Sequence, residues 1–373
     1  MKNSSSLIDS WNNRFWASAV KSSYLNVESL SAFRIIVGLF ILFIYHPTFS
    51  WITVVPDVLF NPPVFSTAFL FSGFPGIAFF AVIDFIRVAS SICLTLGIKS
   101  RISGIIYVLA SVLALNFQYS FGKIDHNILI YAMIACMSFS GWGSKLAIVP
   151  DKEASTQLRA KTLSLYALLV CFAFFTAGYL KGLNWVNLDT TKAGTANWFY
   201  NGFFDLHRNK FLAPYFLNLP FVLFKVMDCI AVAFEVTGVI FLVYSRKAWK
   251  LWLVTAALFH VVNMLMLNIS FLPNVMVYSV FINYSGLYRK IAGVFNNNRT
   301  VTIVVSAVFV LITLIGYNVF TSSASMRFTP AFKLLGEYSF ATLILFPVVA
   351  ILLLTDVFNK TEGQFNEDIT STL

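Results

Sequence analysis

The sequence predicts an all-α, polytopic transmembrane bundle of about nine or ten spans, and three observations carry that prediction. The chain is 58% hydrophobic and 11% charged, whereas a soluble fold is about 45–50% apolar and about 25% charged. Its apolar residues come in long runs separated by short polar segments. At roughly 20 residues per span, nine or ten spans occupy about half of the 373 residues, which leaves no room for a large domain outside the bilayer.

Residues 1–29 are polar and of mixed charge, which predicts a cytoplasmic or interfacial segment and no cleavable signal peptide. Within it Ile8, Trp11, Phe15 and Ala19 recur at helical spacing with Trp16 alongside, the pattern of a short helix lying on a bilayer; a disordered tail is the competing reading. Spans are expected near 30–46, 76–97, 102–120, 127–141, 161–182, 218–244, 249–266, 270–285, 300–320 and 338–356. Residues 286–357 thus hold two additional C-terminal spans, and 358–373 form a polar tail. Two intervening segments, 47–75 and 183–217, are rich in aromatic residues, and the first carries five prolines and no Lys or Arg. It reads as an interfacial or re-entrant stretch rather than a water-filled loop.

Sixteen of the twenty-six Lys and Arg fall in segments on the same side as the N-terminus and six on the opposite side. That bias predicts an integral protein of the plasma (inner) membrane with its N-terminus in the cytoplasm. It also accounts for the net charge of +10 without nucleic acid: no basic run is interleaved with aromatics, so a nucleic-acid partner is excluded. The four cysteines, Cys93, Cys136, Cys171 and Cys229, sit in apolar stretches without a C-x-x-C. This excludes a disulfide scaffold, a thioredoxin-type pair and a zinc site. The four histidines show no metal-ligand spacing, and no hydrolase elbow, Walker loop or dinucleotide fingerprint is present.

Charge inside a bilayer is costly and therefore informative. Asp84–Arg87 and Lys225–Asp228 are i,i+3 pairs able to neutralise each other on one helix face, a structural use. Arg34 lies just inside the first span and is expected to snorkel to the interface. Glu235 has no partner within a turn and needs one from another helix, or a proton. Lys181 follows Ala177 and Gly178, small residues that admit a close neighbour. A lysine desolvated there could act as a base, and an interfacial anchor is the competing reading. His126 opens the fourth span beside Asn127; His260 and Asn263 share a face of the seventh. With Lys181 they could line one polar pocket.

These residues resemble a family, the vitamin K-dependent γ-carboxylase-like (HTTM) membrane domain, over roughly residues 30–285. The resemblance runs through Ser31–Gly38 with Arg34, then Asp125-His126-Asn127, then Ala177-Gly178 with Lys181 and Trp185. It continues in Phe234-Glu235, in Phe259-His260 with Asn263, and in Ile269–Pro273 with Val275-Met276. It departs at Asn184, where the family has Asp, at Ser270, where Gly is usual, and in a lysine–tryptophan segment one residue short. The large lumenal domain of the carboxylases has no expected counterpart. The resemblance implies a carbon–carbon lyase-type carboxylase using a reduced quinone, vitamin K or menaquinone, on a small peptide or protein at the outer leaflet. Lys181 would deprotonate the quinol and His126 would assist, with Asn127, His260, Asn263, Glu235 and Trp185 around the pocket. A non-enzymatic lipid- or peptide-binding protein, acting in export, maturation or immunity, is the alternative.

Overall fold

A computed structural model describes residues 2–45, 48–122, 127–187, 189, 191–295, 299–317 and 338–358. Among the described residues every regular element is helical. In chain order the helices are α1 (Lys2–Ser23), α2 (Val27–Phe43), α3 (Ile77–Leu96), α4 (Ser100–Gln118), α5 (Ile128–Met137) and α6 (Thr156–Trp185). These are followed by α7 (Gly194–Tyr200), α8 (Ala213–Phe216), α9 (Phe221–Val236), α10 (Gly238–Tyr244) and α11 (Arg246–Leu267). The last are α12 (Asn274–Ser279), α13 (Ser285–Phe295), α14 (Arg299–Gly316) and α15 (Tyr338–Phe358). Their ends follow local chemistry. The Asn26 side chain accepts the Ser29 amide at the start of α2, and Ser245 accepts the Ala248 amide at the start of α11. The α3 helix stops at Gly97, whose φ of 72° suits a residue without a Cβ.

Five helices are long and apolar enough to cross a bilayer: α3, α4 with its extension to Phe121, α6, α11 and α15. The number rises to seven if two helix pairs, Leu7–Ser23 with α2 and α9 with α10, each count as one span. Nine or ten spans are therefore not confirmed among the described residues. The reason is length. The apolar stretch 127–141 yields a helix of 10 residues and 270–285 one of 6, about 15 Å and 9 Å long at 1.5 Å per residue, against about 30 Å of hydrocarbon. The segment 218–244 is interrupted near Thr237, where α9 and α10 meet at 46°.

The chain divides into two units. One takes its described residues from Leu25–Arg159 and Asn283–Gly336. Here Asp84 and Arg87, both buried, form the expected pair at 3.6 Å. Asp84 also accepts the amides of Phe49 and Ser50 and the Ser50 hydroxyl. The Arg87 guanidinium donates to Ser111 and Tyr107 and lies 4.7 Å from the Phe49 ring centroid. The pair thus holds the start of the proline-rich segment 48–75, which runs as three 3-10 turns. Its Phe60, Phe71 and Phe74 pack on Phe117 and Phe121 of the α4 end. Arg34 does not snorkel. It is fully buried, and its guanidinium donates to the Ser100 hydroxyl and to the carbonyls of Trp142, Lys145 and Leu146. The turn after α5 brings these carbonyls to the charge, so the side chain has no need to reach water.

The other unit takes its described residues from Met1–Tyr24, Ala160–Ile282 and Glu337–Leu373. Within it α11 packs along α15. That contact contains an ion pair the sequence did not announce: Lys250 donates to Asp356 at 2.9 Å, both side chains nearly buried. Removing one member of a buried pair strands the other and typically costs about 3–5 kcal/mol, while replacing both with apolar residues can be neutral. Lys250→Met is therefore expected to lower the unfolding midpoint in detergent by an amount equivalent to about 3 kcal/mol, and Lys250→Met/Asp356→Leu to recover most of it. Equal midpoints for wild type and Lys250→Met would show that the pair does not hold α15.

Candidate functional site

The partner that Glu235 requires is Lys181. The two are 54 positions apart in sequence and meet because α6 and α9 approach closely at Gly178. A Cβ at Gly178 would stand 2.7 Å from the Cβ of Glu235, so glycine is what lets the two helices touch one turn before Lys181. Gly178→Ala is expected to push the helices apart at a cost of about 1–3 kcal/mol. Thermal unfolding in detergent reads that loss; an unchanged midpoint would mean that the helices are not held in contact there.

The Lys181 ammonium is ion-paired with Glu235 and lies 5.3 Å from the Trp185 ring centroid, one turn on. Its side chain is 27% exposed, whereas that of Glu235 is 4% exposed. The second carboxylate oxygen, Oε2 of Glu235, is buried and has no hydrogen-bond partner among the described residues. Desolvated carboxylates ordinarily fill both oxygens, so this open acceptor marks a place for a donor.

Lys225 and Asp228 do not neutralise each other as their spacing suggested. Lys225 uses its three donors on the Trp185 carbonyl (2.8 Å), the Asn187 side chain (2.8 Å) and the Lys192 carbonyl (2.9 Å). Asp228 accepts the Gly194 and Thr195 amides and the Thr195 hydroxyl, which caps the start of α7 from a neighbouring helix. Orphan amides at a helix start are strong claimants on a carboxylate, and backbone carbonyls claim the lysine. In the same loop the Thr191 hydroxyl and amide hold the exposed Asp189 carboxyl well below the usual range, at about 2. The Trp185 ring rests directly on Gly194, where a Cβ would collide with it. The segment 192–224 then folds on itself through Phe199, Tyr200, Phe216 and Phe224.

His260 is buried and makes a 2.6 Å hydrogen bond with the Tyr278 hydroxyl and a 3.4 Å contact with the Asn274 side-chain nitrogen. The three lie among Phe271, Phe346 and Phe174. Phe174, one turn before Gly178, also contacts Phe234, the neighbour of Glu235. Rings therefore connect this cluster to the Lys181–Glu235 pair. Asn274 Oδ1 is a second buried acceptor with no hydrogen-bond partner among the described residues. Asn274 and Tyr278 were missed from sequence, although their i,i+4 spacing directly after Pro273 places both on one face. Asn263 is half-buried on α11, and its side chain joins neither group. Asn127 belongs to the other unit, where its carbonyl accepts the Ile130 amide at the start of α5. His126 lies outside the described residues. No cluster of metal-ligating side chains occurs among the described residues, and the four cysteines are free thiols.

No protein-family model, curated protein or solved structure matches the chain.

Proposed function

We propose that this helical, apolar protein is a membrane-embedded enzyme that binds a reduced quinone, vitamin K or menaquinone, beside Lys181 and Glu235 and moves a proton there. Under the positive-inside reading this end of α6 is at the outer leaflet, where the substrate is a small peptide or protein, as in the carboxylases the sequence resembles. The carrying observation is the ion pair whose carboxylate keeps one buried oxygen free.

The residues present fit a quinol. The free Glu235 oxygen can accept a phenolic hydroxyl, and the Trp185 ring beside Lys181 suits a flat partner. When bound, the group would supply an acidic hydroxyl and two reducing equivalents. On the protein side, a proton passed from Lys181 Nζ to Glu235 leaves two neutral groups. The neutral amine can then accept a proton from a neighbouring hydroxyl.

A second reading is favoured by the same salt bridge. Lys181 touches Glu235 and Trp185 at once, which also describes a clamp joining α6 to α9 in a protein that binds a lipid or peptide without chemistry. Mass spectrometry of lipids copurifying with the detergent-solubilised protein separates the two. Near-stoichiometric quinone in wild type, reduced in Glu235→Leu, is the expected result. Absence of quinone, with added reduced menaquinone leaving tryptophan fluorescence unchanged, would overturn the enzyme reading.

A further inference from the structure

The amphipathic helix α1 carries one continuous apolar stripe with two fates. At its C-terminal end Ala19 and Val20 are buried, α1 packs on α10 and α11, and Val20 and Tyr24 cluster with Ala160 at the start of α6. There the Arg246 guanidinium donates to the Tyr24 carbonyl at 2.8 Å. Toward the N-terminus the same stripe, four residues apart at each step, leaves the protein. Leu7, Ile8, Asn12 and Phe15 line a shallow groove of about 540 Å³ with Trp11, which is 74% exposed. In a folded protein so large an uncovered apolar strip on one helix face calls for an occupant.

Charge decides which occupant. Arg14 and Lys21, seven residues apart and exposed, lie along one edge of this strip, three residues from Trp11 and seven from Leu7 in the case of Arg14, with Asp9 the acidic residue of that helix. The helix ends that receive α1 add Lys161, Arg246 and Lys247. A basic margin beside an apolar strip containing tryptophan matches the headgroup boundary of a leaflet bearing anionic lipid. Clustered basic residues at span ends mark the cytoplasmic leaflet.

We infer that the N-terminal half of α1 is a lipid-binding element. It lies in the plane of the inner leaflet, with Leu7, Ile8, Trp11 and Phe15 in the acyl boundary and Arg14 and Lys21 on anionic headgroups. It does not form part of a span. The inference is independent of the quinone reading, because it concerns the opposite end of α6 from Lys181.

Single nitroxide labels at Trp11→Cys, Ile8→Cys and Arg14→Cys, each in full-length protein with its native cysteines replaced, test this in nanodiscs of phosphatidylcholine with or without phosphatidylglycerol. Labels at 8 and 11 are expected to favour oxygen over a water-soluble nickel chelate, at a depth of about 5–10 Å, and the label at 14 the reverse. In discs containing phosphatidylglycerol, Lys21→Gln is expected to raise the water-exposed fraction of the label at 11 about fivefold, the loss of one basic contact. Three results would overturn the inference. One is equal nickel access at 8, 11 and 14. Another is a label at 11 near the bilayer centre. The third is dipolar broadening between labels on two copies, which would assign the strip to self-association.

Discussion

Asp84→Ala is expected to cost the fold about 3–5 kcal/mol, more than any other single substitution proposed for this protein. The carboxylate is fully buried and holds four groups at once: the Arg87 guanidinium, the Phe49 and Ser50 amides, and the Ser50 hydroxyl. Its removal leaves a buried cation without its acid and two amides without an acceptor, and each unsatisfied amide alone costs about 1–3 kcal/mol. These losses overlap and do not add in full. The segment that starts at Phe49 would be the first to loosen, so protease sensitivity within 48–75 should rise before global unfolding. Asp84→Leu/Arg87→Leu should be more stable than Asp84→Ala, because no charge is stranded. Unfolding midpoints in detergent check all three, and a wild-type midpoint for Asp84→Ala would remove the pair from the fold's supports.

Lys181 and Glu235 are expected to respond asymmetrically. Lys181→Met leaves a carboxylate that is 4% exposed with neither oxygen bonded, a loss of about 3 kcal/mol or more. Glu235→Gln leaves an ammonium that still faces Trp185 and reaches water, a loss nearer about 1 kcal/mol. Lys181→Met/Glu235→Leu should regain most of the stability lost in Lys181→Met. Activity follows a different order under the proposed function. Turnover of added reduced quinone should fall at least about 100-fold in Lys181→Met and in the double variant alike, since a base typically contributes 10²–10⁴. Recovery of stability without recovery of turnover identifies a proton-handling lysine. Recovery of both, or full turnover in Lys181→Gln, identifies a clamp.

How much of this was legible in the sequence depended on whether a residue's partner was near in the chain. Asp84 and Arg87 share one helical turn, so their pairing could be read directly. Lys225 and Asp228 have the same spacing, yet stronger claims came from backbone amides at Gly194 and Thr195 and from carbonyls at Trp185 and Lys192. Side-chain spacing carries no information about such groups. Glu235 visibly needed a distant partner, but only the approach of α6 and α9 at Gly178 identifies Lys181. The apolar runs of 127–141 and 270–285 announced membrane-compatible segments. Their lengths misled because composition continues past the points where the helices stop. Pro273 and the turn after Met137 set those limits.

The single turn of α9 that bears Lys225 and Asp228 takes hold of the chain on both sides of one loop. Lys225 binds where the strand leaves α6 and again at Lys192, and Asp228 binds where α7 begins. The loop is thus also tied at both of its ends by hydrogen bonds to a third segment. A chain broken inside the loop would keep both new ends moored to the same turn, and two separately made fragments meeting at α9 would have a template on which to rejoin.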